Sequence, residues 1–190
     1  MTKLHLKQDT IHDTIYNLVA RVKPFDALEQ IHITETLAWI SSGLPIFRLH
    51  KPDSPPKHLV SYFVLFDEAA LKILLVDHKK AQLWLPPGGH VEIDESPFDA
   101  VKRECLEELQ IHADFWCEEP VFITSTVTVG LTAGHTDVSL WYVLRGNYQH
   151  NYIFDRDEFN DIKWFAIDEI PFERTDPHMQ RFIHKLKGML

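Results

Sequence analysis

Three glutamates at a fixed spacing constrain this chain more than any other feature. Glu104, Glu107 and Glu108 follow directly on Arg103, and in a helix their offsets of three and four residues place the three carboxylates on one face. Like charges at this spacing repel one another and destabilise a helix, so a compensating group is expected. A divalent cation is the simplest such group, because Mg²⁺ binds carboxylate and phosphate oxygens. A solvated acidic face is the alternative from these residues alone.

The residues before the glutamates predict such a helix. Ser96 suits the N-cap, Pro97 the first helical position and Asp99 the first turn, and the pattern continues to about Leu109. The expected buried stripe consists of Ala100, Val101, Cys105 and Leu109. Upstream, a strand ends in a loop that contains Gly88 and Gly89, where the backbone can approach a ligand closely. The predicted order is therefore strand, glycine-rich loop, helix.

The same stretch resembles the signature of the Nudix hydrolases, G-x5-E-x7-R-E-U-x-E-E-x-G-U with U aliphatic. The match begins at Gly89, continues through Glu95 and the glutamates, and ends at Ile111. Its polar and glycine positions alone would coincide by chance with a probability below about one in ten million per starting position. The apolar Cys105 occupies the first aliphatic position, and Gln110 stands in place of Gly. We expect a left-handed helix end there, where Gln costs about 1 kcal/mol and leaves the carboxylates in place.

The resemblance implies a fold and an activity. The fold is an α+β, α/β/α sandwich with a mixed sheet, which we assign to residues 56–190, with residues 1–55 as an N-terminal helical extension. The activity is metal-dependent hydrolysis of a nucleoside diphosphate linked to another moiety, with Mg²⁺ or Mn²⁺ as cofactor. Such an ion neutralises phosphate charge and acidifies bound water.

The resemblance also implies roles for individual residues. The metal ligands would be Glu104, Glu107, Glu108 and the Gly88 carbonyl, and Arg103 and Glu95 would support them. A further acid outside the signature often completes such sites. Glu158 is the best candidate, in competition with Asp155, Asp157 and Asp161. The general base is left open between Glu108 and Glu158.

Residues that contact the substrate are harder to predict. Gly89, Trp84, His135 and Asp137 are candidates, although a turn and strand start is the more ordinary role for the last two. Four further aromatic residues could stack a base, and each is more often part of a core: Phe122, Trp141, Tyr142 and Trp164.

The N-terminal segment predicts two helices. An apolar stripe from Ile11 to Val22 ends before Pro24, and Asp26 begins a second helix that ends near Gly43. The second helix carries Leu28, Ile31, Ala38 and Trp39. The extension would cap the sheet, shape the pocket or contact a second copy, and the protein would be a monomer or a homodimer. A DNA-binding helix pair is a further possibility, which the neutral charge of residues 1–55 weakens.

Composition limits the binding partners and the cellular compartment that we expect for this protein. With 19 basic and 28 acidic residues the net charge is −9, which argues against a nucleic-acid partner, since that needs a basic surface. No apolar run is long enough to span a membrane, and the first residues lack the apolar core of a signal peptide. Two cysteines favour a reducing, cytoplasmic setting. The twelve histidines are scattered, without a metal-ligand spacing.

Two other functions remain open. Isoprenyl-diphosphate isomerisation on the same fold would need a catalytic cysteine, and neither Cys105 nor Cys117 is well placed. A non-catalytic sensor of a nucleotide or an ADP-ribose-like ligand is the alternative from a different class. Sensors often lose signature carboxylates, and here all of them are present.

Overall fold

A computed structural model describes residues 10–50 and 54–190. The expectations for residues 1–9 and 51–53 lie outside this part. The helices are α1 (Ile11–Arg21), α2 (Ala27–Ser41), α3 (Pro97–Leu109) and α4 (Met179–Lys187). The strands are β1 (Lys57–Asp67), β2 (Lys72–His78), β3 (Leu83–Leu85), β4 (Gly88–His90), β5 (Phe122–Val127), β6 (Thr136–Arg145) and β7 (Phe159–Ala166).

The strands form one mixed sheet. Its main order is β3-β2-β1-β6-β5, while β4 pairs with β1 and β7 with β2. The pairing of β1 with β6 is parallel, and the other pairings are antiparallel. This register sets His58 beside Asp137 and Val60 beside His90.

The sheet separates two hydrophobic clusters. One contains Val19 of α1, Ile40 of α2 and Cys105 of α3 together with sheet residues. The other contains Phe182 of α4. Helices therefore cover both faces, which confirms the α+β sandwich with a mixed sheet. In the described part of the chain, no helix is long and apolar enough to cross a membrane.

Helix α3 forms as its sequence predicts. The Ser96 hydroxyl accepts a hydrogen bond from the Asp99 N–H (3.1 Å), and Pro97 opens the helix. At the other end Gln110 has φ of 53°, which is the left-handed conformation expected there. The predicted stripe is fully buried, and Glu104 and Glu108 are buried beside it on the inward side of α3.

Helix α2 has the expected N-cap at Asp26, and its inward side includes an acidic residue. Leu28 and Ile31 are exposed, whereas Glu29 is fully buried. The Glu29 carboxylate accepts hydrogen bonds from the Phe25 N–H at 2.6 Å, the Ile123 N–H at 3.3 Å and Lys185 Nζ at 2.8 Å. These donors turn an acidic side chain inward and rotate the flanking apolar residues out to solvent.

Candidate functional site

A cavity of about 710 Å³ lies beside α3 and is lined by residues from several strands of the sheet. It is lined by residues of several elements, among them Gly88, Gly89, Glu104, Glu107, Glu108 and Glu158. Helix α3 packs on β1 and β4, and this packing sets the glutamates of α3 against the two glycines of β4. We call Glu104, Glu107 and Glu108 the acidic cluster.

Glu104 is a buried carboxylate beside a cation. Arg103 Nη1 donates a hydrogen bond to its Oε1 at 2.7 Å. Burial raises the pKa of Glu104 to about 7; Arg103 opposes this shift, and the charges of Glu107 and Glu158 add to it. Without a further cation, the negative charge on this group is therefore disfavoured.

Glu108 is buried more deeply. Its Oε2 accepts a hydrogen bond from the Gly88 N–H at 2.7 Å. Burial raises its pKa well above the usual range, and the charges of Glu104 and Glu158 raise it further. Glu107 differs from both, since 59% of its side chain is exposed and it accepts a hydrogen bond from Arg103 Nη1 at 3.1 Å.

Arg103 holds the acidic cluster in place. Its Nε and Nη2 each donate to the Glu95 carboxylate at 3.0 Å, and Nη2 also donates to the His90 carbonyl at 2.9 Å. Through Nη1 it reaches Glu104 and Glu107. The guanidinium thus joins the β4 backbone to α3 and fixes the direction of two carboxylates.

Two glycines permit the close approach of β4. Gly88 has φ of 138°, and a Cβ there would lie 2.1 Å from the Ser61 carbonyl oxygen. A Cβ on Gly89 would lie 2.1 Å from Glu104 Oε1. Any side chain at Gly89 would displace the carboxylate, so this glycine is required by the site itself.

Glu158 faces the same cavity from the turn before β7. Its Oε1 lies 3.4 Å from His78 Nε2, and hydrogen bonding to His78 lowers the pKa of Glu158. The three competing aspartates, Asp155, Asp157 and Asp161, are not among the described residues that line the cavity.

The donor set suits a hard divalent cation. Carboxylate oxygens are the ligands that Mg²⁺ and Mn²⁺ prefer. Two of the three carboxylates of the acidic cluster are buried, and burial together with neighbouring carboxylate charges raises the pKa of both; a bound cation would remove that penalty. Glu104, Glu107 and Glu108 are therefore the residues that would hold it.

The predicted substrate residues divide into two groups. Gly89, His135 and Asp137 line the cavity. Trp84 does not, because it packs edge to face on Phe165, with ring centroids 5.2 Å apart. Among the other aromatic candidates, Phe122, Trp141 and Tyr142 are completely buried, as core residues are, and Trp164 is partly buried against the core.

Sequence reasoning missed several residues at the site. His90 follows Gly89 directly, and this adjacency was the signal that could have identified it. Asp176 also lines the cavity, and burial raises its pKa to about 6. His58 lies inside a strand, and only the parallel pairing of β1 with β6 brings it beside Asp137.

Comparison with known proteins agrees with this arrangement. The family model described as the NUDIX domain matches residues 56–186. A curated relative from Danio rerio, named m7GpppN-mRNA hydrolase NUDT17, is 34% identical over 103 residues. That alignment covers 48% of this chain, which spans only about a third (34%) of the relative's length.

Solved structures show the same fold. A Nudix-family hydrolase from Clostridium perfringens superposes with a TM-score of 0.54 at 20% identity, covering 70% of this chain and 98% of that one. A MutT Nudix hydrolase from Burkholderia pseudomallei gives 0.51 at 22% identity, covering 67% and 95%. The family model matches most of this chain, and the signature glutamates lie together in one cavity. The chain therefore belongs to the Nudix family.

Proposed function

We propose that this protein is a metal-dependent pyrophosphohydrolase that cleaves a nucleoside diphosphate linked to another moiety. The observation that carries the proposal is the convergence of the acidic cluster and Glu158 on one cavity. A bound Mg²⁺ or Mn²⁺ would neutralise diphosphate charge and make water more acidic. A sensor is the less favoured alternative, since every signature carboxylate is present.

The chain's own residues would orient the reaction. Arg103 holds Glu104 and Glu107 in fixed rotamers, and the Gly88 N–H does the same for Glu108. Such positioning lowers the reorganisation needed at the transition state.

Glu108 and Glu158 are the candidates to accept a proton from the attacking water. Glu108 would also be a ligand of the cation, whereas hydrogen bonding to His78 lowers the pKa of Glu158 and favours its ionised form. Both residues remain candidates for the general base.

The cavity volume of about 710 Å³ is within the range of small-molecule sites. A nucleoside diphosphate derivative is a substrate of this size. The name of the Danio rerio relative adds one member of this class, a capped RNA end, and a cap dinucleotide therefore belongs among the compounds to test.

The test is product release from a substrate panel of nucleoside triphosphates, nucleotide sugars, ADP-ribose, dinucleoside polyphosphates, NADH and a cap dinucleotide. Each is incubated with Mg²⁺, Mn²⁺ or chelator, and products are separated by chromatography. We expect cleavage between two phosphates of at least one compound, with a mononucleotide among the products, and none with chelator. Cleavage that persists in chelator would contradict the proposal. So would tight binding of a panel compound that is never cleaved, which is the behaviour of a sensor.

A further inference from the structure

A second group of potential metal ligands lies at the same cavity, which three of its four members line, while the fourth, His58, is fully buried beside them. His58 of β1, His90 of β4, Asp137 of β6 and His135 just before β6 form what we call the histidine cluster. One ligand atom from each lies within 4.8 Å of all the others. His58 and His135 are buried, and the other two residues are partly buried.

The ligand atoms are already close together. His58 Nε2 lies 2.9 Å from His90 Nε2 and 3.1 Å from Asp137 Oδ1. His135 Nε2 lies 3.2 Å from the same carboxylate oxygen. Tetrahedral Zn²⁺ with bonds of about 2.0–2.1 Å keeps its ligand atoms roughly 3.4 Å apart, so only small shifts are needed to admit an ion.

Hydrogen bonds on the far side of two rings set their tautomers. His58 Nδ1 lies 3.1 Å from the Pro55 carbonyl, which can only accept, so this nitrogen carries the proton. In the neutral ring, Nε2 then presents a lone pair to the cluster. This assignment follows from the hydrogen-bond network, and it is the arrangement that metal-binding histidines adopt.

His135 is arranged in the same way. The Thr128 hydroxyl donates to the His135 carbonyl at 3.2 Å, and its oxygen lies 3.2 Å from His135 Nδ1. Because the Thr128 hydroxyl donates its proton to the carbonyl, its oxygen can only accept from His135 Nδ1. That nitrogen therefore carries the ring proton. His135 Nε2 therefore directs a lone pair toward Asp137.

Asp137 is the acceptor at the centre. Within the described part of the chain its Oδ1 is buried and finds no hydrogen bond of acceptable geometry, despite two imidazole nitrogens at 3.1 and 3.2 Å. Acceptors that face one another in a buried place are unfavourable unless a positive charge lies between them. Arg48 Nη1, 3.3 Å from His90 Nε2, supplies charge at one side and would be displaced from that nitrogen by an ion.

We propose that His58, His90, His135 and Asp137 form a second metal site, selective for Zn²⁺ and ions with the same preference for imidazole. Three nitrogens and one carboxylate suit Zn²⁺, whereas the all-oxygen acidic cluster suits Mg²⁺ or Mn²⁺. This metal site is a proposal separate from the proposed hydrolysis. Its occupancy is measured by metal binding, so the test does not depend on whether the protein hydrolyses anything.

The test is a Zn²⁺ titration of the full chain after chelator treatment, against a chromogenic competitor. We expect one tight equivalent, with its affinity lowered at least about 100-fold in Asp137→Asn and His135→Gln, since changes behind the ligands alone cost 10- to 100-fold. His150→Gln, at an exposed histidine, is the matched control and should bind as the unaltered protein does. Thermal melts establish that each variant is folded.

Two comparisons separate this site from the acidic cluster. Glu107→Gln should retain the tight Zn²⁺ equivalent whether or not it hydrolyses anything. Co²⁺ bound at the site should give the intense visible absorption of tetrahedral cobalt, which octahedral oxygen sites lack. Loss of tight binding in Glu107→Gln but not in Asp137→Asn would overturn the proposal, as would the absence of any tight equivalent in the unaltered protein.

Discussion

At the scale of single residues, the site depends on how closely a backbone can approach a carboxylate. Gly89 lies against Glu104 with no room for a Cβ. Arg103 then locks the same carboxylate from the other side. The pattern of charges alone predicts an acidic helix face. Gly89 allows β4 to lie close to that face, which then lines one side of the cavity.

Gly89→Ala should damage the site more than the fold. The added Cβ would lie 2.1 Å from Glu104 Oε1, so the carboxylate must shift by an appreciable fraction of an ångström or more. We expect a loss of about 100-fold in kcat/KM and of about 1–3 kcal/mol in the free energy of unfolding. Steady-state kinetics and urea unfolding measure the two effects.

Gly188→Ala is the matched control for this substitution. Its φ is −73°, and a Cβ there would make only an ordinary contact at 3.4 Å. It should leave kcat/KM unchanged. Equal activities for the two alanine variants would show that the approach of Gly89 to Glu104 is unimportant.

At the scale of elements, the helices that were predicted most accurately are those specified by residues close to one another in the sequence. Helix α3 is specified by Ser96, Pro97 and its own apolar stripe, and its bounds were predicted correctly. The inward side of α2 does not follow from its own residues, because Glu29 is held by Lys185, which lies 156 positions away. The histidine cluster escaped prediction for the same reason, since sheet pairing alone assembles it.

Glu29→Ala should therefore destabilise the whole protein. It removes an acceptor for Lys185 Nζ and for two backbone N–H groups, and it leaves a largely buried ammonium without its counter-ion. Loss of one partner of a buried ion pair costs about 3–5 kcal/mol. The measurement is urea unfolding. Glu35→Ala, at an exposed position of the same helix, should change stability by less than about 0.5 kcal/mol. An equally small loss for Glu29→Ala would contradict the anchoring role.

The contact between the start of α2 and α4 should be sensitive to acid. Two hydrogen bonds from Arg181, at 2.7 and 2.5 Å, and the charge of Arg181 lower the pKa of Asp26 from 3.8 to about 2. A lowered pKa in the folded state means that this contribution to stability is complete above pH 3.8 and is lost as pH falls toward 2.

Asp26→Asn tests this pH dependence, since asparagine still serves as an N-cap but cannot titrate. We expect the variant to be less stable than the unaltered protein at pH 6 and the difference to shrink toward pH 2. Thermal melts across this range give the comparison. A stability difference that stays constant with pH would rule out the ion pair with Arg181 as its source.

At the scale of the whole molecule, one cavity has two walls of different chemistry. Carboxylates of α3 line one part, and His90, His135 and Asp137 line another. The N-terminal helices join the same hydrophobic cluster as α3, so they contribute to the packing that supports the acidic wall. Family membership accounts for the carboxylates, and the long-range strand pairing of this chain accounts for the histidines.

The most direct test of the account is the dependence of hydrolysis on Mg²⁺ concentration in Glu107→Gln, using the best compound of the substrate panel. Glu107 is largely exposed, so the variant should fold normally. Glu118→Gln, an exposed glutamate outside the residues that line the cavity, is the control. We predict that Glu107→Gln loses more than about 100-fold in rate and needs more Mg²⁺, while Glu118→Gln matches the unaltered protein. Unchanged rate and Mg²⁺ dependence in a folded Glu107→Gln would contradict the assignment of the acidic cluster as the metal-binding centre.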